Sequence, residues 1–191
     1  MNTVKGKLLF AHLINPDTRF DAEGVYKTSL ICDPDAVADL VTELEEMRDE
    51  LYEKTVKGTK GEAAKKKIVK ADVVRPATDR DGEETGEVEF RFKSKFAPKL
   101  WDAKKNRITE DINLGNGSVV KIMFQPNTYF VPSSKTVGVT LYVNHVQVIE
   151  LAGMGSPDDF DEEDGYTVDV MPEEQTVPDD PMDDDDPLAD L

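Results

Sequence analysis

"EVEFRFKSKF", Glu87 to Phe96, alternates without a break: Val88, Phe90 and Phe92 on one side, Glu89, Arg91, Lys93 and Lys95 on the other. A period of two is that of a β-strand, whose side chains point by turns to opposite faces. The stretch therefore predicts a half-buried strand with a phenylalanine face toward a core and a basic face toward water. Any fold that accepts it must bury the rings without burying the cations.

Working outward, "DRDGEETGE" before this strand reads as a loop. Further back, Lys54 to Arg75 holds eight Lys or Arg against two acids, with glycines at 58 and 61, and reads as a basic, mobile linker ending in a short strand near Val73. It follows the clearest helix of the chain. Asp33 suits the N-cap and Pro34 the first helical position. Val37, Leu40, Val41, Leu44, Met47, Leu51 and Tyr52 recur at three- and four-residue spacing, and the helix is expected to stop before Gly58. Upstream of it, Val4 to Ile14 and Val25 to Cys32 read as strands joined by the turn chemistry of "NPDTRFDAEG".

On the other side, "APKLWDAKKNRITEDINLGNG" is a long connection, after which Val119 to Val131 and Thr136 to Leu151 form two β-rich runs joined by "PSSK", a hairpin. No internal repeat is present. The total is five or six strands, one amphipathic helix and long loops. Short antiparallel strands must hide their edges, so the expected fold is mainly β: a five- to six-stranded Greek-key barrel of the oligonucleotide-binding (OB) type. A β-sandwich is the alternative architecture.

The charge is unevenly divided. Of 40 Asp and Glu residues, 16 lie between 152 and 191, where there is no Lys or Arg; the other 24 face all 23 bases in residues 1–151. The chain therefore divides into a near-neutral domain, 1–151, and an acidic C-terminal tail, 152–191, that reads as a disordered interaction segment. Within that tail "DDFDEEDG", Asp158 to Gly165, invites a calcium reading that fails on spacing. A loop begun at Asp159 has Asp164 where an EF-hand needs Gly and Val170 where it needs Glu.

Catalytic chemistry is not assembled. The single Cys32 rules out an internal disulfide and a multi-cysteine zinc site. His12 and His145 sit inside strand patterns and read as structural, and neither a phosphate loop nor a nucleophile elbow occurs. We expect no enzyme, no cofactor and no metal. The N-terminus lacks a long apolar run, so no signal peptide or membrane span is expected and a cytoplasmic location is inferred. "NGS" at Asn116 to Ser118 then reads as a tight turn.

The densest cluster is "FRFKSKFAPKLWDAKKNR", Phe90 to Arg107, with seven bases, one acid, three phenylalanines and the only Trp. Cations suit phosphates and exposed rings suit unstacked bases, which is what single-stranded nucleic acid requires. The candidate contacts are Arg91, Lys93, Lys95, Phe96, Lys99, Trp101, Lys104, Lys105 and Arg107. Trp101 is placed in a loop after Pro98, free to present its ring. A second, less specific basic stretch supplies Lys65, Lys66 and Lys67. The bland alternative makes the lysines a solvated face and Trp101 a core plug.

The strand-rich body, the final hairpin strand "GVTLYVNHVQVIEL" (Gly138 to Leu151) and the acidic segment directly after it resemble the tailed-phage replication single-stranded DNA-binding proteins. That resemblance implies an OB barrel that coats single strands during replication and recombination in the host cytoplasm. It also implies a tail that competes with DNA and recruits replication proteins such as a polymerase, helicase-primase or nuclease. On this sequence the tail residues are Asp183, Asp184, Asp185, Asp186 and Leu191. Two features depart from the family pattern: the chain ends in Leu191 rather than an aromatic, and the helix follows the second strand. An acidic DNA mimic, or an interaction module for a basic partner, is the competing reading. Nothing in the sequence fixes the oligomeric state, and a homodimer is one option.

Overall fold

The computed structural model describes residues 1–152 apart from Phe20, Arg80 and Asp111. The acidic tail, with the failed calcium loop and Asp183 to Leu191, lies outside the described residues. Eight strands and two helices follow in order: β1 (Asn2–Asp17), β2 (Val25–Cys32), α1 (Pro34–Gly58), α2 (Glu62–Lys65), β3 (Val69–Lys70), β4 (Arg75–Thr78), β5 (Glu84–Ser94), β6 (Lys99–Trp101), β7 (Val119–Val131) and β8 (Thr136–Glu150).

Five of these strands close a barrel. β1 pairs with β2, β2 with β5, β5 with β8, β8 with β7, and β7 returns to β1. Every contact in that ring is antiparallel except the β5–β8 seam, which is parallel and two residue pairs long, Phe92 opposite Leu141 and Lys93 opposite Tyr142. The expected OB barrel is present, with α1 between its second and third strands, as the sequence order implied.

The alternation in β5 works as read. Phe90 and Phe92 are fully buried, and Arg91 and Lys93 are exposed. The rings of Phe92 and Phe124 meet edge to face at 5.2 Å, and Leu8, Leu30, Val120, Ile122, Val143 and Val146 complete the core around them. Cys32 is buried among these groups, and burial pushes its thiol up to about 12.

β1 can lie this close to β2 only because position 6 is glycine. A Cβ there would sit 2.3 Å from the Ile31 carbonyl oxygen and 2.8 Å from Cys32 Sγ. Gly6→Ala is therefore expected to cost about 1–3 kcal/mol of stability through backbone displacement, read as a lower melting temperature. An unchanged melting temperature would show that the two strands can part without loss.

α1 begins as predicted, with the Asp33 side chain accepting from the Asp35 amide at 2.9 Å and Pro34 in the first turn. It runs through Gly58 instead of stopping before it, with Thr59 as its C-cap. Its inner face carries Val37 and Leu44, and also Arg48, which the apolar spacing did not mark.

Arg48 explains the largest correction. Residues 54–75 are not a mobile linker but the last turn of α1, then α2, β3 and ordered turns up to the start of β4. The Arg48 guanidinium donates to the Ala71 carbonyl at 3.1 Å, and Lys70 forms a 2.8 Å ion pair with Asp49. Ile68 is buried, and the Val69 and Ala71 amides donate to the Lys135 and Val137 carbonyls. Composition predicted mobility here, but a docked backbone overrode it. The short strand expected near Val73 begins at Arg75, and β5 starts at Glu84, inside the predicted loop. The Gly115–Ser118 turn forms as read, with the Ser118 amide donating to the Gly115 carbonyl at 3.3 Å. Among the described residues no helix is long and apolar enough to cross a membrane.

Candidate nucleic-acid interface

The outer surface of the barrel is set by strand register. Lys93 of β5 lies between Lys27 of β2 and Tyr142 of β8. Beyond the seam, β6 takes up the same edge of β8 that β5 leaves. Lys99 pairs with His145, Leu100 with Val146 and Trp101 with Gln147. An outward strip of β8 is thus flanked by β5 and then by β6. At about 3.3 Å per residue, Tyr142 and Gln147 are roughly 15 Å apart along it.

A hollow lies at each end of the strip. The first, about 220 Å3, is lined by Arg75, Arg91, Lys93, Tyr129 and Thr140 among others. The second, about 420 Å3 and mostly apolar, is lined by Thr3, Trp101, Lys105, Lys121, Met123, His145 and Gln147.

His145 reaches the second hollow because β8 carries a bulge. Phe124 faces Val143 and the preceding Met123 faces His145, so Asn144 is an extra residue. Leu141 and Val143 point inward before the bulge and Val146 and Val148 after it. His145 and Gln147, which strict alternation would send into the core, are thereby turned outward.

Trp101 is not in an open loop. It closes β6, is half-buried, and its Nε1–H donates to His145 Nδ1 at 3.1 Å. The neutral ring of His145 in this arrangement carries its proton on Nε2. The following turn is built on Asp102, whose carboxylate accepts from the Asn106 side chain at 2.8 Å, the Asn106 amide at 2.7 Å and the Lys104 amide at 2.8 Å. These bonds, led by the Asn106 side chain, hold its carboxyl below the usual range. Gln147 clamps the same turn by donating to the Asp102 and Ala103 carbonyls. Lys104, Lys105 and Arg107 are exposed on it.

The predicted contacts therefore separate. Arg91 and Lys93 line the first hollow, Trp101 and Lys105 line the second, and Lys99 is exposed beside His145. Arg91 is oriented by Glu89, Nε to Oε1 and Nη2 to Oε2 both at 3.0 Å. Burial raises the Glu89 carboxyl, but hydrogen bonds from Arg91 and Ser29 outweigh it and hold the group below the usual range. Lys95 is exposed, bonded to Asp21 and 3.9 Å from Glu23. Phe96 is fully exposed just past β5.

Lys65, Lys66 and Lys67 are not part of the strip. They lie on α2 and the turn before β3, which pairs with Thr136–Val137 at the far end of β8 from Trp101, and Lys65 is paired with Glu62 at 2.8 Å. Sequence reading missed Tyr129, Tyr142, Lys121, Met123 and His145. Tyr142 was open to parity, since it alternates with Leu141 and Val143, whereas His145 was hidden by the bulge. Among the described residues no three His, Cys, Asp or Glu side chains gather as a metal site requires.

The overall fold recurs in solved structures. The barrel is the fold of phage single-stranded DNA-binding proteins. Gp2.5, a single-stranded DNA binding protein encoded by bacteriophage T7, superposes with a TM-score of 0.64 at 20% identity, over 85% of this chain and 99% of that one. The single-stranded DNA-binding protein from bacteriophage Enc34 in complex with ssDNA gives 0.53 at 15% identity, over 80% and 88%. Its C-terminal truncation also gives 0.53, at 12% identity. At these identities the chains share a fold. No protein-family model matches the sequence, nor does any curated protein.

Proposed function

We propose that this protein binds single-stranded DNA without catalysing a reaction on it, in phage DNA replication and recombination within the host cytoplasm. The observation that carries the reading is the outward strip of β8, with cations and aromatic rings at both ends. Arg91, Lys93 and Tyr142 serve one end and Trp101, Lys99 and Lys105 the other. Lys104 and Arg107 lie within reach of a strand leaving the second hollow. Rings take bases by stacking, largely regardless of sequence, while the lysines take phosphates. The likeness in fold to proteins described as binding single-stranded DNA supports the same reading.

The acidic segment 152–191 is proposed as a second functional unit that competes with DNA for the basic strip and recruits replication proteins. Asp183 to Asp186 would supply charge and Leu191 an apolar partner contact. A tethered competitor divides the apparent affinity by one plus its effective concentration over its own dissociation constant. Millimolar effective concentration and a dissociation constant of about 0.1 mM give roughly tenfold masking.

Titrating fluorescent oligonucleotides against full-length and 152–191-deleted protein tests both ideas. Single strands should be preferred to duplex. With three to four phosphates neutralised, log K should fall with log salt at a slope of about -2 to -3. The deletion should tighten binding about tenfold at low salt, and the gain should shrink as salt screens both contacts. A flat salt dependence or preference for duplex would overturn DNA binding of this kind. Equal affinity of the two proteins would overturn only the competition.

A further inference from the structure

The outer wall of β1 and β7, next to the second hollow, carries an arrangement that folding alone does not favour. Lys5 and Lys121 stand directly opposite each other in antiparallel register, both exposed, with Thr3 opposite Met123 one step along the face and Lys7 opposite Val119 the other way. Like charges at directly opposed positions of neighbouring strands are destabilising. Among the described residues neither lysine has a carboxylate partner.

The contrast with the other side of the barrel is sharp. Lys27, opposed to Lys93 across β2 and β5, is ion-paired with Asp17, and Lys95 with Asp21. OB barrels generally carry their strand on the face of their second and third strands, which here are β2 and β5. In this chain Lys27, Arg91 and Lys95 of that face are paired with Asp17, Glu89 and Asp21, and Lys93 alone of the four has no acid partner among the described residues. Lys5, Lys7, Lys105 and Lys121, none of them ion-paired among the described residues, gather around the wall of β1, β7 and the Trp101 hollow.

We propose that this wall is a phosphate track. A single strand with one base in the hollow between Trp101 and Met123 leaves it across β7 onto β1, its next phosphates on Lys121 and Lys5. The bound strand therefore runs along β8 from the Arg91 and Lys93 end and then over β7 to β1, rather than across β2. This rests on the single-stranded DNA reading above and adds the path to it. The anion is a polynucleotide because the lysines border a mostly apolar hollow beside an indole ring, and cations with an aromatic platform are the pairing that single strands use.

Lys121→Glu tests it, since it places a carboxylate opposite Lys5 and removes the like-charge contact. The same holds for Lys5→Glu, which places one opposite Lys121. Each variant should melt at the same temperature as the wild type or higher, yet bind single-stranded oligonucleotide roughly tenfold more weakly at low salt. Removing one phosphate contact and neutralising its neighbour should also shallow the salt slope by about 1.4. Lys60→Glu, which makes the same charge change after α1, controls for net charge and should change affinity less than about twofold. Fluorescence of Trp101, the only tryptophan, should be quenched by DNA in the wild type.

If Lys121→Glu and Lys5→Glu match Lys60→Glu in affinity and slope, the track is wrong while single-strand binding stands. If the wild type itself fails to bind single strands, the functional reading falls and this one with it.

Discussion

Phe92→Ala should be the most damaging single truncation in the barrel, costing about 3–5 kcal/mol of stability. The ring is 2% exposed, meets Phe124 edge to face at 5.2 Å and lies 6.3 Å from Phe90. Position matters as much as volume. The Phe92 backbone pairs with Thr28 on one side and with Leu141 across the parallel seam on the other. That seam is the shortest contact of the closed ring, and the core beneath it has little backbone pairing to spare. For a chain of this size each kcal/mol moves the melting temperature by about 2–4 °C, so a fall of about 10 °C is expected. Because Lys93 and Tyr142 form the next pair on the outer surface, single-strand binding should weaken as well. A melting temperature within 3 °C of wild type would show that the seam tolerates a cavity and that closure rests elsewhere.

Trp101→Ala should have the largest effect on binding of any residue in the strip, roughly 1–3 kcal/mol from lost stacking, which is about 5- to 150-fold in affinity. The structure adds a second consequence. The indole N–H is bonded to His145 Nδ1 at 3.1 Å, and the two rings lie 6.0 Å apart. Losing that bond costs about 1 kcal/mol, so the melting temperature should fall by a few degrees. Trp101→Phe separates the two roles, since it keeps an aromatic face and loses the donor. Most of the affinity should survive in Trp101→Phe while the small stability loss remains. If Trp101→Ala binds as well as wild type, the second hollow is not a base site, whatever its stability.

The strongest expectations came from positions where one local period decides the outcome. The run from Val88 to Phe92 alternates, so its phenylalanines went inward and Arg91 and Lys93 outward, and no distant contact was needed to say so. Asp33 and Pro34 start α1 because capping needs only the next few amides. The five main strands were readable for the same reason, and their number left few ways to hide the edges, which is why the barrel itself could be anticipated.

What failed depended on pairings between residues far apart in sequence. Residues 54–75 look mobile by composition, but Arg48 is buried against Ala71 and holds them to α1. Trp101 follows a proline in a basic stretch, yet β8 captures it as a strand residue because β5 leaves that edge free after Lys93.

The chain by itself therefore determined which side chains an unbulged strand such as β5 offers to water, because that follows from a two-residue period. The tertiary structure decided which of those offers meet. Register set Lys5 against Lys121 and Lys93 against Tyr142, and one extra residue at Asn144 turned His145 toward Trp101. A bulge or a seam costs little locally and is chosen by the packing of the whole barrel, so no window of sequence contains it.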